Sequence, residues 1–117
     1  MEKLTFAEFQ GVMRHDLLEI GECIEAEFCV DGCAEYKAAN LGKTIDRYTN
    51  KEIYWFGLTE DGLQAYDFNS FEDFSNAKVF HGKDLKGIWE SVSFYSIDAC
   101  EVQERLPFYL GEKDEEL

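Results

Sequence analysis

Basic residues are scarce in this chain. Lys and Arg number 11 against 25 Asp and Glu, a net charge of −14 over 117 residues. A field of that sign repels phosphate backbones and anionic headgroups, so direct nucleic-acid binding and membrane adsorption are both disfavoured. Histidine occurs only as His15 and His81, which leaves few imidazoles for a general base. Proline occurs once, at Pro107, where it interferes with a strand. No apolar run approaches the roughly 18 residues that a membrane span needs. The opening MEKLTFAEFQ lacks an apolar h-region and a cationic run, which predicts no secretory signal and a cytoplasmic location.

Metal and phosphate motifs are also missing. Four cysteines are present, three of them within Cys23–Cys33, but none forms a CxxC pair. Cys23 and Cys29 are six residues apart, about 20 Å along an extended strand, too far to share an ion. Cys29 and Cys33 would need partners from Cys100, His15 or His81 to complete the four ligands of structural zinc. The stretch Leu41-Gly42-Lys43-Thr44 imitates the end of a phosphate-binding loop, yet Lys37 stands where its first glycine belongs. These observations predict no metal site and no cofactor. Catalysis needs a nucleophile, a base and an orienting group meeting in space, and the sequence names no such trio. No enzyme is expected.

What is present is apolar, aromatic and periodic. Hydrophobic residues make up 45% of the chain, with 10 Phe, 6 Tyr and 2 Trp, enough to bury a single domain's core over residues 1–117. Phe6, Phe9, Met13, Leu17 and Ile20 recur at helical spacing. Thr5 and Glu8 form a capping box, Leu4 and Phe9 fit a hydrophobic staple, and Gly21 suits the helix end. The spacing predicts a helix over 6–20, with Gly11 a weak point.

The period then becomes two. Ile24, Ala26, Phe28 and Val30 alternate with Cys23, Glu25, Glu27 and Cys29, a half-buried strand. Asp31-Gly32 marks a turn, and Ala34, Tyr36 and Ala38 predict a second strand. Keeping apolar side chains on one face selects a three-residue loop, which pairs Phe28 with Ala34 and Ala26 with Tyr36. That register sets Cys29 opposite Cys33 and Glu27 opposite Glu35, though a disulfide there is disfavoured in a reducing compartment. Residues 39–51 read as a connection. KEIYWFGL and LQAYDF form a hairpin about Glu60-Asp61-Gly62, with Phe56 opposite Tyr66 and Tyr54 opposite Phe68, central in the sheet. Ser70 caps a short helix with Phe71 and Phe74 on one face. KVF is a brief strand, Leu85, Ile88 and Trp89 mark a second short helix, and VSFYSID and EVQERLPFYL are further strands. Residues 111–117 form a charged, frayed tail.

The expected fold is α+β: an N-terminal helix packed on a mainly antiparallel β-sheet with two short inserted helices. The expected function is a small acidic protein-binding or regulatory accessory module. Glu25, Glu27 and Glu35 would share one acidic face presented to a basic protein partner, as in an inhibitor, immunity protein or nucleic-acid mimic. Two readings from other classes stand beside it. One is a small-ligand-binding domain or enzyme with a pocket between helix and sheet. The other is a structural homo-oligomer such as a homodimer, with an exposed sheet edge or apolar patch.

Overall fold

The structure, a computed structural model, describes residues 1–17 and 23–111. It is an α+β fold built on one five-stranded antiparallel sheet with the described helices packed on one face. Helix α1 spans Phe6–Met13, and its start obeys the capping box. The Thr5 hydroxyl accepts from Glu8 N–H at 3.0 Å, and the Glu8 carboxylate accepts from Thr5 N–H at 2.9 Å. The helix is shorter than its periodicity implies, because it ends at the Arg14 C-cap. Residues 18–20 of the expected helix, Gly21 and positions 112–117 of the expected tail lie outside the described residues.

Strand β1 (Ile24–Val30) lies between β2 (Ala39–Asp46) and β5 (Val92–Ile97). Strands β3 (Lys51–Gly57) and β4 (Ala65–Phe68) continue the sheet, giving the order β4-β3-β2-β1-β5. The β3–β4 hairpin has the expected register, Phe56 opposite Tyr66 and Tyr54 opposite Phe68. Its second strand is nevertheless the sheet's edge, so only β3 is interior. Helix α2 (Phe71–Asn76) is capped by Ser70, whose hydroxyl accepts from Asp73 N–H at 3.1 Å.

Four segments differ from expectation. Ala34–Tyr36 is a turn of 3₁₀ helix, and Ala39–Asp46, the supposed connection, is the strand that pairs with β1. The edge of β1 that a 34–38 strand would occupy is taken by Ala39–Lys43, and in the 3₁₀ turn Tyr36 is buried to 1% exposure while Ala34 and Glu35 face water. Residues Val102–Leu110 form helix α3 rather than a strand. Val102, Leu106 and Tyr109 lie one and two turns apart and are all buried. Pro107 sits inside this helix, which forgoes one backbone hydrogen bond there. KVF is likewise no strand: Phe80 and Lys83 exchange two backbone hydrogen bonds around His81-Gly82. The second short helix is a 3₁₀ segment, Lys86–Ser91.

The core lies between the sheet and its helices. Ile24, Ala26, Phe28, Leu41, Tyr54, Phe56, Val92, Phe94 and Ile97 supply the covered sheet face, all of them buried. Phe9 of α1 stacks on Phe94 and Phe74, and Phe74 of α2 stacks on Phe56 with ring centres 4.3 Å apart. Offset rings at such distances add about 0.5–1.5 kcal/mol per pair beyond burial. The aromatic residues between 54 and 95 are therefore mainly core.

Candidate functional site

Among the described residues, no helix covers the opposite face of the sheet. Glu25 and Glu27 project from β1 onto it, both exposed, flanked by half-exposed Asn40, Thr44 and Ser96. The register aligns Glu25 with Gly42 and Glu27 with Asn40, while on the other side Glu27 faces Ser96. Trp55 of β3 stands opposite Gly42, and its indole lies where a Gly42 side chain would be: an added Cβ would sit 2.6 Å from the ring. The indole therefore roofs the glycine and shields part of this otherwise open face. Asp46 and Asp67 add carboxylates to the same face, with Lys51 at its margin. Among the described residues neither Glu25 nor Glu27 has an ion-pair partner.

A groove of 1020 Å³ runs from this face to the end of the sheet, lined in part by Glu25, Glu27, Asn40, Thr44, Arg47, Asp98 and Arg105. Its floor is set by a tight turn. Asp98 and Ala99 both adopt positive φ (55° and 64°), and Ile97 and Cys100 exchange backbone hydrogen bonds around them. The Asp98 carboxylate accepts from Glu25 N–H at 2.9 Å, from Arg105 Nε at 2.9 Å and from the Tyr109 hydroxyl. Burial, reinforced by the Asp98 charge, pushes the Tyr109 hydroxyl well above the ordinary tyrosine range. Burial opposes the Arg105 charge, but its hydrogen bonds to Asp98 and Tyr109 outweigh that, and its pKa lies above the usual value. This is a satisfied brace tying α3 to β1. It offers no unpaired acid or base to a substrate.

The register separates what the sequence reading had placed together. Cys29 pairs with Ser93 of β5, not with Cys33, and Glu27 does not face Glu35. Glu35 lies in the 3₁₀ turn, where it accepts from Gln64 and contacts His81 Nε2 at 2.8 Å. All four cysteines are free thiols. Cys33, Glu35 and His81 are the one group of three metal-capable donors that converges among the described residues, with ligand atoms all within 4.8 Å of one another. Cys29 is no part of it. Sequence spacing could not reveal this group, because His81 arrives from 46 residues away through the core contacts of Tyr36 and Phe80.

The Leu41–Thr44 stretch lies on β2 and forms no loop. Lys43 is buried, with its ammonium 2.9 Å from the Glu52 carboxylate and hydrogen bonds to the carbonyls of Met13 and His15. Its role is to hold the end of α1 against the sheet. His15 is half-buried beside Tyr109 rather than fully solvated. No described helix is long and apolar enough to cross a membrane. Compared with known family models, curated proteins and solved structures, the chain matches none.

Proposed function

We propose that the protein is a binding module that presents the bare face of its sheet to a basic segment of a partner protein. The observation that carries this reading is the pair Glu25 and Glu27, exposed on an interior strand and, among the described residues, unpaired and unshielded by a helix. A solvated sheet face that served only solubility could mix both signs, as a self-compensating surface does. On this face and in its groove Glu25, Glu27, Asp46 and Asp67 outnumber Lys51 and Arg47, and Arg105 is already bound to Asp98. Trp55 adds an amphipathic aromatic of the kind enriched at interface hot spots. Glu35, on the 3₁₀ turn, is not part of this surface. The groove on this face, not the packed helix–sheet interior, offers the room for a ligand segment.

The test is competition between positions of equal charge. An arginine-rich peptide titrated into the labelled protein should shift backbone resonances of β1, β2 and β5. Reversal by Glu25→Lys with Glu27→Lys should weaken binding about tenfold or more, in the range that close charge pairs contribute. The control reversal Glu60→Lys with Glu90→Lys changes net charge equally at exposed positions elsewhere. Equal weakening by both pairs would reduce the interaction to net charge and defeat the proposal.

A further inference from the structure

We infer that Cys33, Glu35 and His81 form a zinc-binding site. The inference is independent of the bare sheet face. Three donors of different chemistry meet here from two separate segments, with ligand atoms within 4.8 Å of one another. Tetrahedral zinc with Zn–S near 2.3 Å and Zn–N or Zn–O near 2.0 Å sets its ligands roughly 3.3–3.7 Å apart. Binding would require side-chain rotations that bring these three from within 4.8 Å to that spacing. The imidazole and carboxylate are already neighbours, hydrogen-bonded at 2.8 Å, and zinc would replace that bond as the two atoms move apart.

The surroundings hold the donors in place. Glu35 accepts from the Gln64 amide, and the Gln64 carbonyl in turn accepts from the buried Tyr36 hydroxyl at 2.9 Å. Supporting bonds of this kind orient ligands in metal sites. The His81 ring lies against Tyr36, 5.3 Å between centres. His81 itself has φ of 53° and Gly82 of 86°, in a two-residue turn where Asn-Gly is the ordinary choice. Histidine, like Asn and Asp, tolerates this left-handed conformation better than most residues, and here it sets the imidazole on Glu35. Cys33 precedes the 3₁₀ turn as a half-buried free thiol, fixed by its N–H bond to Val30 at 3.0 Å. Thiolate, imidazole and carboxylate together select zinc over magnesium or calcium, which take oxygen donors. Three protein ligands leave the fourth position to water.

Cobalt(II) titration under reducing conditions tests the site, because a thiolate ligand gives a charge-transfer band that oxygen and nitrogen donors do not. The wild-type chain should bind one equivalent with that band, and Cys33→Ser should abolish it. His81→Asn suits the positive φ, and Glu35→Gln keeps a hydrogen-bonding amide, so both preserve the fold. Each should weaken zinc binding by calorimetry about tenfold or more, at least what loss of a supporting residue costs. Cys23→Ser and Cys100→Ser, both at exposed thiols, should change nothing. Absence of the band in the wild type, its survival in folded Cys33→Ser, or unchanged zinc affinity in His81→Asn would each overturn the inference.

Discussion

Lys43 shows how one residue can mislead a reading of a strand and yet stabilise the fold. It is 1% exposed on the covered sheet face, between Leu41 and Ile45. Its ammonium neutralises the carbonyl end of α1, where the helix dipole favours a cation, and Glu52 completes the arrangement by also accepting from Leu17 N–H at 3.2 Å. Lys43→Met removes the cation and leaves Glu52 and two carbonyls without it. Losing one partner of a buried pair costs about 3–5 kcal/mol. Because Glu52 is 28% exposed, about 2–3 kcal/mol is expected, read as a lower urea midpoint. Ala99 presents the opposite case. Its φ of 64° opposes the steric preference of any residue with a Cβ. Ala99→Gly should raise stability by about 0.5–1 kcal/mol, provided Asp98 keeps its bonds, and the same denaturation measures it.

At the scale of elements, the pairing of β1 with β2 rests on Gly42. An added Cβ there would lie 2.2 Å from the Ile24 carbonyl oxygen and 2.6 Å from the Trp55 ring. The backbone cannot yield cheaply. Gly42→Ala should therefore cost about 3 kcal/mol or more, the range of severe overpacking, and should change tryptophan fluorescence as Trp55 is displaced. A variant with unchanged stability and emission would refute this account of the strand pair. Elements announced by local cues were legible in the sequence. Thr5 with Glu8 marked the start of α1, the Glu60-Asp61-Gly62 turn fixed the β3–β4 register, and Ser70 marked α2. Elements whose cues were diluted were not legible. Lys43 broke the apolar alternation of Ala39, Leu41 and Ile45 and hid β2. Two alanines imitated a strand at 34–38, and Pro107 masked the helical spacing of Val102, Leu106 and Tyr109.

The whole molecule couples its acidity to a buried tyrosine set. Burial raises the Tyr109, Tyr54 and Tyr36 hydroxyls above their ordinary value, and nearby carboxylates (Asp98, Glu52 and Glu35 respectively) add to it. In the unfolded chain these groups lose protons near pH 10. The native state holds them to higher pH, so above about pH 10 it binds more protons than the unfolded state. Stability then falls as pH rises, while below about pH 9 these groups contribute no slope. Tyr109→Phe should flatten that alkaline loss in thermal melts, although it also removes the bond to Asp98 and lowers stability at neutral pH. An alkaline slope identical to wild type would place the loss elsewhere.

The sequence by itself determined the fold class, the aromatic core, the acidity, the start of α1 and the β3–β4 register. Each of these depends on composition or on contacts a few residues apart, which spacing records directly. Only the tertiary structure decided which residues share a surface. It kept Glu25 and Glu27 on a bare sheet face, moved Glu35 to the 3₁₀ turn, and brought His81 to Cys33 and Glu35. Strand order and loop packing set those neighbours. They follow from the shape of the whole core, where pairing β1 with Ala39–Lys43 leaves 34–36 as a 3₁₀ turn that packs Tyr36 against Phe80.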